Sequence, residues 1–265
     1  MRVRALHPDV LLLTSAIWQS NCAVVRCEEE AFLIDSPILP DELQALPSLL
    51  AQAGFPTPSG VLATHGDWDH LLGRLAFPEA SLGCAPATVA RLSSRPGEPQ
   101  RELRAFDESF YLEREHPLRL GSVQELPVPG RLEVGTRELE LHTSDGHTRD
   151  GMSILIGWAG VLLAGDYLSS VEIPVLGTGA SMDAYLATLG RLRELAQSVT
   201  HVVPGHGPIL DAEHALELLE QDVEYLSALV GGDAELPAAR RTRTQRALHE
   251  QNLSLLADQA NSEGA

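Results

Sequence analysis

Sheets of short strands overlaid by amphipathic helices, an α/β (α+β) arrangement, are the fold class expected of this chain on three observations. Short apolar runs bounded by polar breaks recur through both halves of the sequence. Between them lie longer segments whose leucines repeat at helical spacing. The chain is 265 residues long, 44% hydrophobic and 21% charged, so it can bury a sizeable core. That composition excludes wholesale disorder, a collagen and a disulfide scaffold.

The elements follow in order. Residues 10–14, 23–26 and 31–34 are apolar runs separated by polar breaks and read as strands. Asp35-Ser36-Pro37 ends the third. Leu43, Leu46, Leu49 and Leu50 recur at helical spacing, which predicts a helix over about 40–53 that stops at Gly54. Residues 61–63 predict a short buried strand. Arg, Glu and Pro dominate residues 91–119, with Phe106, Phe110 and Tyr111 interleaved, and predict an irregular or partly helical insertion outside the core. Strands resume at 124–128 and 138–142, and 153–157 with 161–164 read as a hairpin. Leu186, Leu189, Leu192 and Leu195 form one stripe of a helix over 183–197. A strand at 201–203, an amphipathic helix over 212–230 ended by Gly231-Gly232, and a last helix over about 237–259 complete the chain, with residues 261–265 expected to fray. The division expected is one domain over 1–232 and a C-terminal helical extension over 233–265.

Charge and cysteine content narrow the function. The 37 acidic against 19 basic side chains give a formal charge of −18, and every basic residue is Arg. Such a field repels phosphate backbones and anionic lipid, so neither nucleic acid nor a membrane is an expected partner. Without Lys there is no Schiff-base chemistry and no phosphate-loop lysine. Cys22, Cys27 and Cys84 are odd in number and form no CxxC pair, which fits buried free thiols in a reducing compartment. Arg2 and Arg4 before the apolar run mimic a short signal peptide. Asp9 interrupts it, however, and Gln19-Ser20-Asn21 is a poor cleavage context, so a first strand and a cytoplasmic location are expected.

The chemistry concentrates in Thr64-His65-Gly66-Asp67-Trp68-Asp69-His70. Four potential metal ligands fall within six residues, directly after a buried strand. In extended backbone His65, Asp67 and Asp69 point to one side, while Asp69 and His70 diverge, so the group can serve two metal ions. His147 in Gly146-His147-Thr148, Asp166 after Gly165, and His206 in Gly205-His206-Gly207 each stand in a strand-end loop flanked by Gly. Such loops present side chains from a rigid scaffold into one cleft. His7, His116, His142, His201, His214 and His249 have no motif around them and read as ordinary surface or core histidines.

These motifs resemble those of the metallo-β-lactamase-fold hydrolase superfamily. That family's first motif is His-x-His-x-Asp-His, and here it stands as His65-x-Asp67-x-Asp69-His70. Gly-His-Thr at His147, Gly-Asp at Asp166 and Gly-His-Gly at His206 look like its later motifs. Ser20-Asn21 and Leu33-Ile34-Asp35 look like its opening strands, so the resemblance spans roughly 10–210. It implies a four-layer αββα sandwich of two mixed β-sheets flanked by helices. It also implies a dinuclear centre: His65, position 67 and His147 on one metal, Asp69, His70 and His206 on the other, and Asp166 bridging. Position 67 departs from the family, because Asp stands where it has His; Asp67 either ligates the metal or accepts a hydrogen bond behind a ligand. Two divalent ions, a bridging hydroxide, Asp69 and Asp166 leave one net positive charge, which an ionised Asp67 cancels. The first metal is then a weaker Lewis acid with more preference for harder ions. Zinc leads, with iron and manganese open.

The activity this implies is hydrolysis of a small-molecule carbonyl substrate, an ester, thioester or lactone, by metal-bound hydroxide, with Asp69 orienting the water or shuttling its proton. Three alternatives stand beside it: a di-iron oxidoreductase of the same fold, a metal-dependent phosphodiesterase, and a degenerate non-catalytic metal-binding protein. Arg149 and Tyr167 follow two of the motifs and are candidates to contact substrate, although structural roles serve them equally well. Trp68 reads as packing. The last helix is expected to dock on its own domain, with a homodimer contact as the alternative.

Overall fold

The computed structural model describes residues 1–177, 179–231 and 234–263, with side chains of the last helix described to Leu256. Strands β1 (Arg2–His7), β2 (Val10–Thr14), β3 (Asn21–Cys27), β4 (Glu30–Ile34), β5 (Gly60–Leu62), β6 (Ser81–Cys84) and β7 (Val123–Glu125) lie in that order in one sheet. β1 to β4 are antiparallel, and β4 to β7 run parallel. The second sheet has the order β12 (His201–Pro204), β11 (Val161–Gly165), β10 (Met152–Ile156), β9 (Arg137–Thr143), β8 (Gly130–Val134). Only its β11–β12 pair is parallel. Both sheets are therefore mixed.

Side-chain alternation turns these sheets into a sandwich. In β2, Val10 and Leu12 point between the sheets, while Leu11 and Leu13 point outward to helices. In β11, Val161 and Leu163 face inward and Leu162 and Ala164 outward. Helix α1 (Pro40–Gln52) buries Leu43, Leu46 and Leu50 on the outside of the first sheet. Helices α5 (Met182–Ala196) and α6 (Ala212–Gly231) bury Leu189, Leu192, Leu219 and Leu226 on the outside of the second. Strands covered on both faces have no polar face, which is why they read as unbroken apolar runs.

Residues 91–119 are partly helical, as expected, but not outside the core: α3 (Pro86–Ser94) and α4 (Glu98–Phe110) follow the four-residue α2 (Gly73–Ala76) and β6. Leu103 and Phe106 of α4 belong to the outer core of the first sheet. Strands β1, β6 and β8 were not foreseen, because β1 and β8 are exposed, polar edge strands and β6 is only four residues long. The last helix, α7 (Arg243–Glu263), starts later than expected and continues through residues expected to fray. The expected boundary between 232 and 233, and residues 264–265, lie outside the described residues. Cys22, Cys27 and Cys84 are buried and free, and burial pushes the thiols of Cys22 and Cys84 up. No described helix is long and apolar enough to cross a membrane.

Candidate metal centre

The C-terminal ends of β5, β9, β11 and β12 reach the same rim of the sandwich. The loop after β5 tightens into a single 3-10 turn, Trp68–His70, whose His70 N–H donates to the Asp67 carbonyl at 3.1 Å. The two halves of the rim are stitched across. Met152 N–H donates to the Thr64 carbonyl at 2.7 Å, and Asn21 N–H to the Gly205 carbonyl at 2.7 Å. The Asn21 amide also donates to the carbonyls of Pro204 and Gly207, both at 2.8 Å. Gly205 allows a close approach here, since a Cβ at that position would lie 2.0 Å from Asp166 Oδ1.

All seven motif residues converge. Their ligand atoms form three groups, each within 4.8 Å: His65, Asp67 and His147; Asp69, His70 and His206; and His65, His70 and Asp166. In the first, Asp67 Oδ2 stands 3.5 Å from His65 Nε2 and 3.7 Å from His147 Nε2. In the second, Asp69 Oδ2 stands 3.3 Å from His206 Nε2 and 3.7 Å from His70 Nε2. Asp166 faces all four imidazoles. Its Oδ2 is 3.6 Å from His65 and His147 and 3.5 Å from His206, and its Oδ1 is 3.3 Å from His70.

Each imidazole is aimed by a contact at its far nitrogen. His70 Nδ1 lies 3.1 Å from Asp35 Oδ2, His206 Nδ1 3.1 Å from Ser20 Oγ, and His65 Nδ1 3.2 Å from Thr64 Oγ1. His147 Nδ1 donates to the Val175 carbonyl at 2.8 Å. Such outer contacts fix the tautomer that leaves Nε2 free for a metal. Indeed, Nε2 of His65, His70 and His147 and Oδ1 of Asp166 are buried without a hydrogen-bond partner among the described residues. Buried, convergent and unsatisfied donor atoms in a nitrogen-and-carboxylate set suit divalent transition metals.

The charges of the protein alone are consistent with this. Burial opposes ionisation of Asp67, but His65 and His147 outweigh it and hold the carboxyl well below the usual range. At His70, burial is outweighed by the carboxylates of Asp166, Asp35 and Asp69, which raise the imidazole well above its ordinary value. His206 is raised well above its ordinary value in the same way, with Asp166 the strongest opponent of burial there. His147 is raised to about 9, its contact with Asp67 and the charge of Asp166 overcoming burial.

The remaining candidates are placed differently. Tyr167 is buried, its hydroxyl accepting from His147 N–H at 3.0 Å and donating to the Ser144 carbonyl at 3.4 Å, so it holds the His147 loop from behind. Arg149 is exposed beside Gly179. Trp68 packs on Phe106 with ring centroids 4.8 Å apart, and Trp18 packs on both. Sequence reasoning missed Arg91, whose guanidinium joins Asp67 to Asp150. It also missed the C-terminal segment's hold on the loop after Asp166. There Gln245 donates to the Val171 carbonyl at 2.9 Å, and Asn252 bonds Leu176 N–H at 3.0 Å and the Pro174 carbonyl at 2.7 Å. The only hints in the sequence are an Arg in a helix and polar residues in an otherwise ordinary amphipathic segment.

The fold and the centre define a class, and comparison with known proteins agrees. The chain belongs to the metallo-beta-lactamase superfamily, whose family profile matches residues 16–206. In fold it is similar to a metallo-beta-lactamase family protein from Thermus thermophilus, at 24% identity over 86% of this chain and 83% of that one, with a TM-score of 0.66. It is likewise similar to a metallo-beta-lactamase from Pontibacter korlensis, at 19% identity over 83% and 98% of the two chains, with a TM-score of 0.59. No curated protein matches the chain.

Proposed function

We propose that this chain is a dinuclear metal-dependent hydrolase of small carbonyl substrates: esters, thioesters or lactones. The observation that carries the reading is the convergence of three unpartnered, buried imidazole nitrogens on the unpartnered Oδ1 and the Oδ2 of Asp166. His65, Asp67 and His147 would hold one ion and Asp69, His70 and His206 the other, with Asp166 within reach of both groups. Bound there, divalent ions supply a lowered pKa for water and Lewis-acid stabilisation of a developing oxyanion, with zinc the leading candidate.

The chain's own residues supply the rest. Asp69, at 8% exposure, keeps a carboxylate beside His70 and His206, where it would orient water or accept its proton. Ser20, Asp35, Thr64 and Val175 hold the imidazoles in the productive tautomer. Trp18, 46% exposed and 6.4 Å in ring-centroid distance from His206, gives the mouth an apolar wall for the substrate's non-reacting part. The −18 charge and the absence of Lys weigh against a nucleic-acid phosphodiesterase. A second reading, a di-iron oxidoreductase, is favoured by the carboxylate of Asp67, a harder ligand than the imidazole it replaces.

Elemental analysis of protein purified without added metal, followed by an ester, thioester and lactone panel, tests the proposal. Two transition-metal ions per chain are expected, with turnover that His70→Ala abolishes. No metal even after reconstitution would end the hydrolase reading, and iron with visible absorbance would turn it toward the oxidoreductase.

A further inference from the structure

We infer that Arg91 is a positioning residue for the first metal position, dividing the labour of the two Asp67 oxygens. The inference rests on the metal-dependent reading above. Arg91 projects from α3 and is almost wholly buried. Its Nη2 donates to Asp67 Oδ1 at 2.6 Å and its Nη1 to Asp150 Oδ1 at 3.0 Å. Asp150 is itself fixed, since its other oxygen accepts Gly66 N–H at 2.9 Å, one residue before Asp67. The chain Gly66–Asp150–Arg91–Asp67 thus closes on the motif loop. With Oδ1 engaged by the guanidinium, only Oδ2 of Asp67 faces His65 and His147.

This arrangement answers the difficulty raised by a carboxylate at position 67. Asp67 is 30% exposed along its side chain, against 5% for His65 and 9% for His147, so solvent competes for it. A planar guanidinium with a fixed fork holds two carboxylates in a set geometry, which a lysine ammonium on a flexible stem does not impose. The Arg91 contact keeps Asp67 a one-oxygen ligand. It also draws negative charge away from the ligating oxygen, so part of the Lewis acidity that a carboxylate removes is restored. The first position is then a two-His, one-carboxylate site tuned from outside, suited to harder ions more than an all-histidine site is.

The test is a double-mutant cycle on metal affinity. His206→Ala serves as background, so that the first position dominates the titration, and zinc and manganese are read by competition with a chromophoric chelator. Arg91→Met is expected to weaken first-position binding about 10–100-fold, the usual effect of losing an outer-shell partner. Arg91→Lys is expected to recover only part of that. Asp67→His is expected to raise the zinc-over-manganese ratio. In the Asp67→His background, Arg91→Met is expected to change affinity by less than about threefold, because its route through Asp67 is gone. The absorption spectrum of the cobalt(II)-loaded protein should shift with Arg91→Met where Asp67 is retained and not in the Asp67→His background. If Arg91→Met does not fold because Asp150 is left unpaired, Arg91→Met with Asp150→Asn removes the buried charge and repeats the measurement. Unchanged affinity in Arg91→Met, or an equal loss in both backgrounds, would overturn the inference while leaving the metal reading intact. Absence of metal from the unaltered protein would overturn both.

Discussion

Asp35→Asn is the sharpest single perturbation of the proposed second metal position. Asp35 sits at the end of β4 with φ +57°, a left-handed conformation that Asn tolerates as well as any residue with a Cβ, so the exchange adds no backbone strain. Oδ1 accepts Thr64 N–H at 2.8 Å, and an Asn carbonyl oxygen keeps that bond. Oδ2 accepts the Thr64 hydroxyl at 3.0 Å and faces His70 Nδ1 at 3.1 Å. An amide nitrogen in its place only donates. Thr64 Oγ1 then turns to accept, and His70 Nδ1 becomes an acceptor, so the neutral ring carries its proton on Nε2, the atom that faces Asp69 and Asp166. Metal binding must reverse that tautomer. Losing an outer-shell partner of this kind costs about 10–100-fold in metal affinity, or about 1.4–2.7 kcal/mol. The expected loss falls on the second binding step in a competition titration, while urea unfolding of the metal-free variant shifts by about 1 kcal/mol, the scale of one exchanged hydrogen bond. A second-step affinity within threefold of the parent would show that Asp35 does not set the His70 tautomer.

Three further expectations concern the same centre. His147 is raised to about 9 in the metal-free protein, above the roughly 6.5 of a free imidazole, so its protonation stabilises the fold fully below pH 6.5, and that contribution is lost as pH rises through about 9. Metal competes with the same proton. Zinc affinity should therefore climb with pH across that window, and flat titrations between pH 6.5 and 9 would contradict the assignment. Asn252→Ala removes the bonds that hold Pro174 and Leu176 on either side of Val175, whose carbonyl aims His147; first-position affinity should fall by up to about tenfold, whereas a lower Tm with unchanged affinity would confine α7 to packing. His206→Ala should abolish ester turnover yet keep a cooperative unfolding transition, since the ring lies outside the apolar clusters; near-normal turnover with two metals bound would remove His206 from the ligand set.

Legibility in the sequence follows burial and chain distance. β2, β10 and β11 were visible because both faces of each are covered, leaving runs such as Val10 to Leu13 with no polar interruption. β1 and β8 pair on one side only and carry Arg2, Arg4, Arg131 and Glu133, so no apolar pattern marks them. The candidate ligands were visible because four lie within six residues and the others sit in Gly-flanked turns. What surrounds them was not visible. Arg91 meets a carboxylate 59 residues away, and Asn252 reaches a loop 76 residues before it. Neither residue stands in a motif, and only the folded chain brings them to the loops they hold.

The centre gathers Asp67, Asp69 and Asp166 against four imidazoles at a buried rim, so its charge must be balanced with or without metal. In the metal-free protein, His70, His147 and His206 are raised above their ordinary values and hold the protons that balance the carboxylates. A cation entering the site takes the place of those protons. Meanwhile the contacts that aim the rings, from Ser20, Asp35, Thr64 and Val175, belong to strands and loops fixed by the sandwich itself. Three apolar layers and the cross-sheet bonds of Asn21 and Met152 do not involve the ligand atoms. On the proposed reading, metal affinity is then set by how well the finished fold exchanges protons for ions. That differs from small metal-stabilised domains, in which binding and folding are one event.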